Sequence, residues 1–319
     1  MGLLNLKNPL SKVDESNDTF HNQRHQAYKR NENKVSEEEI KKLEEEFDFS
    51  TMPERVALFG KYYILNGGNA AKAAVESAAS KVISSNSQNA SMVYLSASPN
   101  YNPVYADLVA SGRHDFIPTS TIVDVMNTWE DPRREFYFTM LDGAYVGGEN
   151  GASNDFTAYS HISDRIQLAT FEGTLFDLAE TEFLLAEAAA RGFNVGGTAE
   201  EHYNHGIRAS IEYWGGTTAD ADTYLAKSEV AYETAAGDWK QKIGMQAWLA
   251  LYNRGFEAWT SYRRLDYPQL VAPADAVSPL PLRFTYPINE QTLNGANYES
   301  ASSAIGGDAV DTKLFFDKF

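Results

Sequence analysis

The chain reads as a mainly α-helical protein, built on tetratricopeptide-like helical hairpins with a loop-rich stretch set against them. Three observations predict this. Apolar residues recur at helical spacing through most of residues 172–266. Cap signals cut that block into separate helices: Gly192 follows Arg191 as a left-handed C-terminal cap, and Thr198 with Glu201 three residues on makes a capping box. Between Asn86 and His161 the helical period fades under Ser, Asn, Gly, Pro and aromatic residues.

Taken in order, residues 1–35 are polar and carry no sustained period, so they read as a loosely held lead segment. His21 and His25 are four apart and could clip a metal from one helix face, but no third donor lies near them in sequence. Ser36 and Glu39 form a capping box for a charged helix from Glu37 to Phe49, and Pro53 opens another to Leu65. Asn69 caps an alanine-rich helix from Ala70 to Ser84. A short helix fits Ser120 to Trp129, stopped by Asp131-Pro132-Arg133-Arg134. Gly143, Gly147, Gly148 and Gly151 mark loops.

The central hairpin runs from Glu172 to Gly215. Phe171, Leu175, Leu178, Leu185 and Ala189 make one apolar row, interrupted by Glu182. Phe176, Ala179, Phe183, Ala186 and Ala190 make a second, so this helix is covered on more than one side. Its partner carries Tyr203, Ile207, Ile211 and Trp214 on its apolar side. Frequent Ala and Gly let the two axes approach closely. Then follow a short helix, Thr218 to Lys227, and one long helix from the Asp238 cap to Asp266, with Trp248, Leu251, Tyr252, Gly255 and Trp259 as its buried stripe. The tail, residues 267–319, is rich in Pro and Gly and reads as extended chain wrapped on the helices, with a short strand at Phe284 and Tyr286.

Composition narrows the chemistry. With 44 acidic against 27 basic residues, the net charge of -17 argues against a nucleic-acid partner, since phosphate binding needs a basic face. There is no cysteine, hence no disulfide, thiolate nucleophile or Cys-ligated zinc. The chain has no nucleophile elbow, phosphate-binding Gly-Lys-Ser/Thr loop, dinucleotide fingerprint or His-Glu-x-x-His. His202 and His205 could ligate a metal, but their simpler reading is an exposed polar face, so neither metal nor cofactor is expected. Glu180 and Glu187, on one face of an apolar helix, read as scaffold paired with arginines such as Arg208, Arg254 or Arg263 rather than as catalytic acids. Met1–Lys7 lacks the apolar core of a signal peptide, and no apolar run is long enough to span a bilayer.

What remains is binding. Sugar rings offer apolar C–H faces to aromatic side chains and polar edges to Asn, Asp and Arg. Trp129, Tyr145 and Tyr159, among Arg113, Asp115 and Asn154, are the expected ligand-binding set within loop-rich residues 86–161. Each ring could instead pin the loop to the helices.

Several segments together resemble the SusD/RagB family of Bacteroidetes surface lipoproteins, in its SusD-like type 2 branch. They are Ala179-Glu-Thr-Glu-Phe-Leu-Leu-Ala-Glu-Ala-Ala-Ala-Arg-Gly192, Tyr203-Asn-His-Gly-Ile-Arg-Ala-Ser-Ile211, Gln246-Ala-Trp-Leu-Ala-Leu-Tyr-Asn-Arg-Gly-Phe-Glu-Ala-Trp259 and Tyr262-Arg-Arg-Leu-Asp-Tyr-Pro268, followed by Pro281 to Pro287, Asn294 to Tyr298 and Thr312 to Lys318. The likeness runs from about Ala70 to the C-terminus, whereas residues 1–50 match poorly, so the helical domain is placed at 51–319. The resemblance implies a SusD-like helical fold with a loop-rich ligand-binding face and no catalysis. It also implies a surface position on the outer membrane through a lipid anchor. The implied partners are an oligosaccharide, or a peptide, and a SusC-like TonB-dependent transporter. Other readings are a helical scaffold that binds only a protein or peptide and, further off, a glycoside hydrolase.

Overall fold

A computed structural model describes residues 69–113, 115–314 and 317, all within one compact unit. The expected helices at Glu37–Phe49 and Pro53–Leu65, and the pair His21 and His25, lie outside the described residues. Helix α1 spans Asn69–Ala78 and tightens into a 3₁₀ turn at Ala79–Lys81. Strand β1 (Ala90–Met92) pairs antiparallel with β2 (Gly173–Phe176), in register Ser91 with Thr174 and Met92 with Gly173, with a bulge after Ala90. Between the strands lie α2 (Pro103–Tyr105), continued by a π turn at Ala106–Ala110, then α3 (Ser120–Thr128) and α4 (Arg134–Tyr137).

The regular block follows: α5 (Leu178–Ala190), α6 (Ala199–Trp214), α7 (Thr218–Leu225), α8 (Trp239–Ala250) and α9 (Gly255–Leu265). The fold is mainly helical, as the sequence predicts. The hairpin α5/α6 is its principal helix pair, and α8 packs on α5. The two expected caps are present. Gly192 has φ +83°, and the amide of Phe193 donates to Ala188 O at 2.9 Å. Thr198 and Glu201 exchange the two hydrogen bonds of a capping box, at 3.1 and 2.8 Å. Two clusters of described residues contribute to the core. One joins Phe183, Tyr203, Ile207, Ile211, Ile243 and Leu265 between the helices of the block. The other gathers Val123, Met126, Tyr137, Phe138, Phe171, Trp214 and Leu249 between the block and the loop-rich stretch.

Four local expectations are corrected. The α5 helix starts later than the apolar rows suggest: residues 173–176 form β2, and Asp177 caps α5 by accepting from the Glu180 amide at 2.8 Å. Leu175, placed in a buried row, is consequently exposed. The single long helix to Asp266 is two helices, broken at residues 251–254, where Asn253 sits at φ +65°. The break moves Gly255 to the surface and leaves Trp259 half-buried. The tail is not uniformly extended: it holds α10 (Ile288–Leu293) and α11 (Gly295–Ile305), the latter closed by Gly306 at φ +94°. Phe284 and Tyr286 form no strand; Phe284 packs edge-on to Trp259, and the Tyr286 amide donates to Asp308 Oδ1 at 3.0 Å.

Candidate functional site: a ring-lined cleft and the loop-rich face

The loop-rich stretch is fixed to the helical block by charge as well as by packing. Arg133 is wholly buried and holds Asp131 with two donors, its Nε at 2.9 Å from Oδ1 and its Nη2 at 2.5 Å from Oδ2. Its remaining donors reach Ser210 of α6 at 3.1 Å and Gln246 of α8 at 3.0 Å. Burial pulls the Arg133 pKa down, and Asp131 more than reverses this, so the guanidinium stays charged. The Asp-Pro-Arg run does more than stop a helix: it ties three elements together.

The six expected ligand residues divide into two groups. Trp129 and Tyr145 are half-buried and pack against the aromatic cluster. Asn127 links them, donating to Tyr145 O at 2.9 Å and accepting from Arg134, whose guanidinium lies 5.5 Å from the Tyr145 ring centre. Tyr159 is half-exposed, and the amide of the next residue, Ser160, donates to Val146 O at 2.8 Å. Asn154 spends its side chain on its own turn, accepting from the Glu149 amide and donating to Glu149 O and Ala152 O. Arg113 and Asp115 form an exposed bidentate pair, with Arg113 stacked 4.9 Å above the Phe116 ring.

None of these six lines a cleft that the described residues form. That cleft, of about 190 Å³, lies between the start of β2, the first turn of α2, the end of α6 and the α8–α9 break. It is smaller than the roughly 300 Å³ at which pockets for drug-sized ligands begin, so it suits one small ring or group rather than a chain of them. Tyr94, Phe171, Trp214 and Tyr252 supply ring surface, and Glu172, Thr174 and Tyr213 a polar edge. The Tyr213 hydroxyl donates to Glu172 Oε1 at 2.9 Å and contacts Thr174 Oγ1 at 2.9 Å. Burial, with the Glu172 carboxylate beside it, pushes the Tyr213 phenol up to about 12. Asn102 braces the rim by capping α2 and donating to Phe171 O at 2.7 Å.

Arg254 forms the floor. It pairs with Asp177 at 3.2 Å and with Glu180, and donates to Leu175 O at 3.1 Å. Burial lowers its pKa, but Glu180 and Asp177 together raise it further, so it remains a cation. Glu187 is fully buried between Arg264, at 2.8 Å, and Arg191, at 2.9 Å. The scaffold reading of Glu180 and Glu187 therefore holds, with Arg254 as expected and with Arg264 and Arg191 in place of the others named. Arg208 instead pairs with Asp222, and Arg263 lies over the Trp259 ring at 3.8 Å. Of the two residues expected on an exposed face, His205 is exposed but His202 is not: it keeps 12% of its side chain exposed and hydrogen-bonds Glu182 at 2.7 Å.

The cleft was missed because its lining comes from segments far apart in sequence. One local signal was available: Asn253-Arg254-Gly255, a left-handed residue and a helix start inside an apolar run.

Comparison with known proteins decides the family. Residues 64–287 match the profile of the SusD-like type 2 family, described as starch-binding and associating with the outer membrane. The chain belongs to this family. A SusD homologue from Bacteroides thetaiotaomicron superposes with a TM-score of 0.70 at 24% identity, over 83% of this chain and 64% of that one. A homologue from Bacteroides uniformis gives 0.68 at 26% identity, over 83% and 63%. A chitin-binding SusD homologue from Flavobacterium johnsoniae gives 0.66 at 26% identity, over 82% and 61%. The chain thus spans less than two thirds of the length of these relatives. No curated protein matches it. No helix among the described residues is long and apolar enough to cross a membrane.

Proposed function

We propose that this SusD-like chain is a non-catalytic glycan-binding protein of the outer membrane surface. It captures an oligosaccharide and passes it to a TonB-dependent barrel transporter. The observation that carries this reading is the family match over residues 64–287, whose description names starch binding and the outer membrane. A chitin-binding relative of the same fold supports a saccharide as the ligand class.

The geometry fits that class. Both surfaces described above rest on one aromatic cluster: Phe171, Trp214 and Tyr252 at the cleft, Trp129 and Tyr145 at the loop-rich face. Rings with carboxylate, hydroxyl and amide groups at their edges match a sugar, and a cleft of this size takes one terminal ring. Trp129, Tyr145, Tyr159, Arg113, Asp115 and Asn154 are proposed as the loop-face contacts, with Tyr94, Glu172 and Tyr213 as the cleft contacts. The buried glutamates of α5 are engaged by arginines, so they have no free acid to lend to hydrolysis.

Affinity electrophoresis through gels containing starch or soluble chitin tests the reading. Retardation in at least one gel is expected, with no reducing sugar released on long incubation. Unretarded migration of the folded protein in every gel, with capture of a peptide instead, would replace the saccharide by a protein partner.

A further inference from the structure

The hairpin α5/α6 carries a constellation that glycan binding does not use. Glu182 on α5 faces His202 and His205 on α6, and one donor atom from each of the three can be chosen so that all lie within 4.8 Å of one another. The spacing explains the arrangement. His202 and His205 are three apart, so both project from the same side of α6, towards α5. Glu182, the polar residue that interrupts the first apolar row, is the α5 position that meets them. One carboxylate oxygen, Oε2, stands 2.7 Å from His202 Nδ1 and 3.9 Å from His205 Nδ1.

We propose that Glu182, His202 and His205 bind a borderline divalent cation, Zn²⁺ in the first instance, and so staple α5 to α6 beside their connecting turn. Two imidazoles and a carboxylate form a donor set that such ions favour over hard ions like Ca²⁺ and Mg²⁺, which prefer oxygen. Bond lengths of about 2.0–2.2 Å in a tetrahedron put donor atoms about 3.3 Å apart. The shorter of the two observed separations must open, and the longer close, by roughly half an ångström, which side-chain rotation supplies. At 3.9 Å the His205 contact is too long for a hydrogen bond, so the carboxylate satisfies only one of its two imidazole neighbours. A cation between them engages all three.

The site has a protected side and an open one. Glu182 and His202 keep 12% of their side chains exposed, while His205 keeps 62%, leaving a path for the ion and for a water in the fourth position. Among the described residues no hydrogen-bond partner meets His202 Nε2. The ring is positioned by close packing instead: a Cβ on Gly197 would fall 2.8 Å from that nitrogen. Lacking the outer hydrogen bond that usually orients a metal-bound imidazole, the site should bind about 10–100-fold more weakly than one that has it.

Calorimetric titration of the whole chain with Zn²⁺ alone tests the proposal, alongside thermal melting with and without the ion. His205→Ala is the main variant because that side chain is exposed and its loss spares the core. Glu182→Gln is the second, and His21→Ala/His25→Ala controls for the other histidine pair. One Zn²⁺ per chain is expected for the wild type, with an increase in Tm. Affinity should fall at least tenfold, and the Tm increase vanish, in His205→Ala and Glu182→Gln, while the control binds as the wild type does. Undiminished binding in His205→Ala overturns the proposal, as does binding abolished by His21→Ala/His25→Ala or no binding by the wild type.

Discussion

Asp131 and Arg133, only two residues apart, close a bidentate ion pair from which solvent is wholly excluded, and through Ser210 and Gln246 the pair joins the loop-rich stretch to α6 and α8. Removing one partner of such a pair leaves a buried charge uncompensated, which costs about 3–5 kcal/mol. Asp131→Asn should lower stability by that amount in a urea titration. Asp131→Leu combined with Arg133→Met should cost clearly less than the sum of the two single changes. Simple additivity would mean that the network does not act as a unit.

Gly206 sets how closely α5 and α6 approach. A Cβ there would lie 3.0 Å from the ring of Phe183, itself buried in the core, so the ring must shift by a few tenths of an ångström. Alanine would gain about 1 kcal/mol of helix propensity but incur about 1–3 kcal/mol of overpacking. Gly206→Ala should therefore cost about 1 kcal/mol net, and Gly206→Val more, both measured as shifts in the denaturation midpoint. A stabilised Gly206→Ala protein would mean that the hairpin has slack the contacts do not show.

Alkaline pH should unfold the protein through its tyrosines. Burial pushes Tyr213 up to about 12 and raises Tyr137, Tyr203, Tyr224 and Tyr252 as well, against an ordinary value of about 10. Since the folded values are raised, the folded state binds more protons than the unfolded one within this window. The associated stability is complete below pH 10 and falls as pH rises towards 12. Melting temperatures recorded from pH 8 to 12 should be level at first and then drop, with tyrosinate absorbance rising together with unfolding. Ionisation of all 18 tyrosines near pH 10 while the protein stays folded would contradict the burial of these five.

These cases show what a sequence discloses. The Thr198–Glu201 box and the Gly192 cap were legible because the atoms concerned are three to five residues apart. The apolar rows of α5 were legible from Leu178 onwards, but Leu175 was misplaced because a strand and a helix can share a short apolar run. The α8–α9 break left one faint local sign, Asn253-Arg254-Gly255. Apolar spacing continues through Leu251 and Tyr252, and the chain turns there so that Arg254 can reach Asp177 and Glu180, some 75 residues earlier. The cleft was hidden for the same reason, since Asn102, Glu172, Tyr213 and Arg254 meet only after folding. Family membership, by contrast, was readable from the ordered segments, because the hairpin motif is local even where the site is not.

Calorimetry with maltooligosaccharides and chito-oligosaccharides tests the central claim most directly, comparing the wild type with Tyr145→Ala/Tyr159→Ala and with Tyr94→Ala/Glu172→Gln. Saturable binding of at least one series is expected. At least one double variant should lose about fivefold or more in affinity, on the basis of roughly 1 kcal/mol per stacked ring. Binding of neither series by the folded wild type, or binding that both double variants leave unchanged, would contradict the claim.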